Sequence, residues 1–140
     1  MTKRVLYILF VLSGLIPATY LLFLTLLYGG VILLEMNKID LTDLLILLCF
    51  AFGICGYLGL LSLLRGLQEK YYKTNLILLG LGIIGFFIFM TFIGQAPARE
   101  WIFNIEEIDE WLVFMLPNIV SLTFIALILT RITMNKIERF

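Results

Sequence analysis

Histidine is absent from this chain of 140 residues. That excludes His-ligated haem and His-containing zinc sites, and it leaves no side chain that titrates near neutral pH without perturbation. Charged residues make up only 14% of the chain, against about 25% in soluble domains. The net charge is zero, so the excess of Lys and Arg that nucleic-acid binding relies on is missing. No G-x-S-x-G, H-E-x-x-H or C-x-x-C occurs, so hydrolase, metalloprotease and thiol-redox chemistry have no residues to rest on. The only cysteines are Cys49 and Cys55. On one helix they stand about 9 Å apart along the axis, beyond the ~7 Å Cα separation that a disulfide tolerates.

Apolar residues fill much of what is left, at 62% of the chain. A domain this small keeps much of its side-chain area in contact with solvent, so a bilayer has to be the solvent for a large part of it. Residues 5–28, 44–64, 75–93 and 111–130 contain no Asp, Glu, Lys or Arg. Each run meets the ~20 residues needed to cross about 30 Å of hydrocarbon as a helix, and none alternates with period 2 as a barrel strand would. The expected fold is therefore an all-α integral membrane protein: a single domain, residues 1–140, forming a four-transmembrane-helix bundle. Lys3 and Arg4 precede the first run as they would in a signal peptide. The run is much longer than a 7–15-residue h-region and no A-x-A-like site follows it, so a retained anchor is expected.

Orientation follows from the cations. Lys3, Arg4, Arg65, Lys70, Lys73, Arg131, Lys136 and Arg139 fall on one side of the four spans, leaving Lys38 and Arg99 on the other. The positive-inside rule makes the first side cytoplasmic, which predicts both termini inside and a multi-pass protein of the cell membrane. Most acids gather outside. Tyr7, Tyr28, Tyr71, Tyr72 and Trp111 stand near span ends, as in an interfacial aromatic belt. Asp40 and Asp43 offer an N-cap to the second span.

Lipid tails are as apolar as leucine, so close backbone approach and interhelical hydrogen bonds must hold the helices together. Gly53, Gly56 and Gly59 recur at helical spacing in the second span, and Gly82 and Gly85 in the third. A short loop joins these spans, so the two stripes are expected to form an antiparallel seam. Ser13, Pro17 and Tyr20 share a face of the first span, and Pro17 should kink it. In the fourth span Pro117 precedes Asn118, with Ser121 close by. An amide inside hydrocarbon needs a partner, so Asn118 should face the bundle. These polar faces suit interhelical bonding beside a kink, or a polar pocket for a substrate or ion.

The loop Gly94 to Glu110 has its own pattern. Trp101, Ile105, Ile108 and Leu112 recur at helical spacing, with Glu100, Asn104, Glu106, Glu107 and Glu110 between them. A short amphipathic interfacial helix is expected here. Its acids Glu100, Glu106, Glu107, Asp109 and Glu110 offer an outer face for a basic partner. Gly29 and Gly30 are expected to let the first span bend into its outer segment.

Proton-coupled transporters and pumps place ionisable groups inside membrane segments, and these runs hold no carboxylate, lysine or histidine. The sequence therefore points to a non-enzymatic protein without cofactor or metal, acting by protein–protein recognition. That role fits an accessory subunit of a membrane complex, or an immunity-type protein against a membrane-active toxin. Small size, several spans and no catalytic residues are features it shares with immunity proteins of pore-forming bacteriocins, with no motif in common. The alternative is a small oligomeric channel or facilitator, and an enzyme on lipid substrates stands third.

Overall fold

The computed structural model describes residues 2–34, 40–92 and 108–137. They form four long helices: α1 (Thr2–Leu34), α2 (Leu41–Leu63), α3 (Tyr72–Phe92) and α4 (Ile108–Ile137), with a 3₁₀ turn, Glu69–Tyr71, leading into α3. All four are long and apolar enough to cross a membrane. They pack in a ring, α1 against α2 and α4, and α3 against α2 and α4, with the α2–α3 hairpin the most extensive pairing.

Local chemistry sets the helix ends. Asp40 caps α2 through a reciprocal capping box: its carboxylate accepts from the Leu41 N–H at 2.7 Å, and Asp43 accepts from the Asp40 N–H at 3.1 Å. These bonds satisfy N–H groups that have no partner inside the helix. Asp40→Ala should therefore lower stability by about 1 kcal/mol, read as a shift in the denaturation midpoint; an unchanged midpoint would show the cap to be dispensable. At the other end of α2 the chain turns on Gly66, whose φ of 89° suits glycine, and whose N–H donates to the Leu63 carbonyl at 2.9 Å.

Gly29 and Gly30 do not interrupt α1, which continues as helix to Leu34. A Cβ on Gly29 would lie 2.9 Å from the Phe50 ring, so this glycine admits an aromatic neighbour and the backbone stays helical. Ile108 and Asp109, at the end of the expected amphipathic segment, lie in the first turn of α4. The rest of the amphipathic segment, Trp101, Asn104 and Ile105 included, lies outside the described residues. Pro17 and Pro117 both sit within continuous helices.

The core is uneven along the bundle. Val11, Leu15, Leu60, Leu63, Leu79 and Phe124 of its buried centre lie in the half nearer the termini, and Ala18 and Val120 carry it to mid-bundle. Toward Leu34 and Ile108, Cys49, Met90 and Met115 are buried outside that cluster.

Candidate functional site

At the end that carries the termini, polar groups tie the four helices together. The Tyr7 hydroxyl of α1 donates to the Leu63 carbonyl at 2.8 Å, a carbonyl at the end of α2 that also accepts the Gly66 N–H. The Tyr7 ring meets Phe124 of α4 edge-on, with centroids 5.4 Å apart, a favoured aromatic geometry. Ser62 of α2 lies 2.7 Å from Asn75 Oδ1 of α3 and 2.7 Å from the Gly59 carbonyl, either of which can take its proton. Arg131 of α4 donates to the Tyr72 hydroxyl at 3.3 Å. Asn75 is only 2% exposed. This cluster escaped the sequence reading, which used Tyr7 and Tyr72 as interfacial anchors. The available signal was Ser62 and Asn75 flanking the loop between spans two and three, where an antiparallel hairpin brings them level.

Further along the hairpin, α2 and α3 touch through their backbones. A Cβ on Gly82 would stand 2.5 Å from the Gly56 Cα, and one on Gly56 would stand 2.7 Å from the Gly82 Cα. A Cβ on Gly59 would meet Leu79 at 2.9 Å, and one on Gly85 would meet Phe52 at 2.6 Å. Gly53 departs from this pattern: a Cβ there would have nothing within 4 Å. Its backbone lies beside Gly85, but its missing side chain points away from the seam. On α1, Gly14 takes the same part against Val120 of α4, at 2.9 Å.

Beyond the seam lies a cavity of about 520 Å³ bordered by all four helices, with Leu22, Phe50, Phe86, Phe89 and Phe114 among its walls. Its size falls within the ~300–1,000 Å³ of ligand pockets. Water finds few partners in so apolar a space, so the cavity suits a nonpolar filling.

Two polar side chains from the fourth span face this cavity, Asn118 and Ser121. Asn118 does not bond across to another helix as expected. Its Nδ2 donates at 2.8 Å to the Phe114 carbonyl one turn earlier on α4, a bond that its own helix supplies and that frees the neighbouring helices from pairing with it. Ser121 is only 5% exposed, and its hydroxyl has no hydrogen-bond partner among the described residues.

The face predicted for Ser13, Pro17 and Tyr20 divides. Ser13 and Pro17 are half-buried, and the Ser13 hydroxyl donates to the Phe10 carbonyl of its own helix at 2.8 Å. Tyr20, however, is 56% exposed, because the next position at seven residues has drifted round the helix toward the outward stripe of Ile16 and Phe23. Of the acids, Asp109 is exposed on the first turn of α4. Glu100, Glu106 and Glu107 lie outside the described residues, as does the side chain of Glu110. Cys49 and Cys55 are free thiols. Among the described residues no cluster of His, Cys, Asp or Glu could hold a metal ion.

Comparison with protein families, curated proteins and solved structures finds no match to this chain.

Proposed function

We propose that the chain is a multi-pass protein of the cell membrane, with both termini on the cytoplasmic side, that works by recognising another protein within the bilayer. Tyr20 carries this reading. It lies about 16 Å along α1 from Val31 and about 25 Å from Lys3, well inside the span. Helical side chains lean toward the helix N-terminus, so the Tyr20 phenol points away from the nearer surface. Its hydroxyl has no partner among the described residues, and an unpaired polar group in hydrocarbon costs a few kcal/mol. Leu9, Ile16, Phe23 and Leu27 extend the same exposed stripe. The occupant this face fits is a partner's transmembrane helix that presents a hydrogen-bond acceptor to Tyr20.

Such a partner belongs to a larger membrane complex that this chain serves as an accessory subunit, or it is a membrane-active toxin that the chain neutralises. Asp109, exposed at the outer end of α4, is available to a basic part of the same partner. The channel alternative draws less support, because the cavity is walled mainly by apolar and aromatic side chains, which do not replace an ion's hydration shell.

A photoreactive residue at position 20 should crosslink to one discrete protein in native membranes, and Tyr20→Phe should weaken that complex roughly fivefold, the worth of one hydrogen bond. Lipid-only adducts would refute the reading, and adducts to a second copy would redirect it to self-association. In liposomes the purified chain should pass no ions, whereas measurable flux would favour the channel.

A further inference from the structure

We propose that the cavity between the four helices binds a neutral lipophilic molecule bearing one hydroxyl or carbonyl oxygen, and that Ser121 and Asn118 hold that oxygen. Volume sets the size of the ligand. An apolar cavity of ~150 Å³ holds one benzene, so about 520 Å³ accommodates a body of about 20 carbon atoms. The walls set its polarity: Phe50, Phe86, Phe89 and Phe114 line the space, and among the described residues no Asp, Glu, Lys or Arg borders it. A charged head is thereby excluded, because its desolvation would go uncompensated.

The polar end is set by α4. Ser121 is 5% exposed, borders the cavity and leaves its hydroxyl unpaired among the described residues. No buried side-chain oxygen among the described residues lacks a partner, so the unpaired Ser121 oxygen is open to the cavity and within reach of a molecule that fills it. Asn118, three residues earlier and also on the cavity wall, uses Nδ2 toward Phe114 and retains a second N–H and its Oδ1. One ligand oxygen can therefore accept from both side chains, and a ligand hydroxyl can also donate to Asn118 Oδ1. Ser121 lies about 15 Å along the helix from Trp111, near the middle of a ~30 Å hydrocarbon layer. A phospholipid tail entering from the surface would bring only a methyl group to this depth. A neutral molecule small enough to enter with its oxygen leading brings the atom that the site lacks. This inference concerns the bundle interior and is independent of what covers the outward face of α1.

The test uses the full chain purified in detergent, with geranylgeraniol as the C20 alcohol and phytane as the C20 hydrocarbon, followed by native mass spectrometry and ligand-dependent melting. One alcohol should bind per chain, roughly fivefold more tightly than the hydrocarbon. Ser121→Ala should reduce the alcohol's preference, and Ser121→Ala combined with Asn118→Leu should bring the alcohol down to the hydrocarbon's affinity while leaving the hydrocarbon's own binding in place. No saturable binding of either probe, or equal affinities in the wild-type chain as expected if water alone serves Ser121, would overturn the proposal. So would an alcohol preference that is unchanged by Ser121→Ala or that survives the double substitution.

Discussion

Replacing Gly82 by leucine should separate α2 from α3 and lower the stability of the bundle by about 3 kcal/mol or more. The obstruction is backbone, since the first added carbon would stand 2.5 Å from the Gly56 Cα. A side chain in that position could swing aside. A Cα cannot move without displacing its helix, and this helix is held at both flanks, by Leu79 against Gly59 and by Phe52 against Gly85. Gly56→Leu should act with the same sign and similar size, because its added carbon would stand 2.7 Å from the Gly82 Cα. Gly80→Ala and Gly53→Ala supply the contrast. Neither position has an atom within 4 Å of the new Cβ, so the gain in helix propensity, up to about 1 kcal/mol, should leave stability equal or slightly raised. Unfolding in mixed detergent micelles reads all four. Equal behaviour across them would mean that glycine content alone, and not this register, governs the hairpin.

That contrast also shows how far the sequence could be read. The glycine stripes and the short loop between spans two and three are enough to pair α2 with α3, because in an antiparallel hairpin each step back along one helix meets a step forward along the other. Thus Ser62 comes to Asn75, Gly59 to Leu79 and Gly56 to Gly82. The spacing does not say which glycine of a stripe looks directly at the neighbour: Gly53 shares the period of Gly56 and Gly59, yet its missing side chain faces away. Three-residue steps lag the 3.6-residue turn of a helix, so a stripe of such steps winds round its surface. Tyr20 departs from the face of Ser13 in the same sense, since seven residues fall short of two full turns. The four long apolar helices were legible because an unbroken run without charge is a property of composition. The cavity was not, because it depends on how four side-chain layers meet across the bundle axis. Nothing in the order of Phe50, Phe86, Phe89 and Phe114 says whether those rings fill the axis or line a space around it.

The two halves of the bundle differ in kind. Near the termini, side chains from all four helices meet in hydrogen bonds and an aromatic pair, and the apolar core is closed. Toward the other end the helices stand around a cavity. Ordering one half tightly lets the other half open without the helices parting, since the hairpin seam and the Gly14–Val120 contact lie between them. Stability of the closed half is therefore a precondition for any binding in the open half.

Asn75→Asp tests whether the half nearest the termini is closed. The substitution keeps the shape of the side chain and places a carboxylate at a position that is 2% exposed. The Ser62 hydroxyl, 2.7 Å from the Asn75 Oδ1, offers it one donor, and the rest of its desolvation goes uncompensated. At neutral pH the variant should fall below the wild-type chain by on the order of 3 kcal/mol, as for other unpaired buried charges. Asn75→Ala removes the amide and adds no charge. Ser62 can then use the Gly59 carbonyl, also 2.7 Å away, so this deficit should be nearer about 1 kcal/mol. Unfolding midpoints for the three proteins decide the matter. Equal deficits for the two variants would mean that the site admits water, and that the half of the bundle nearest the termini is not closed.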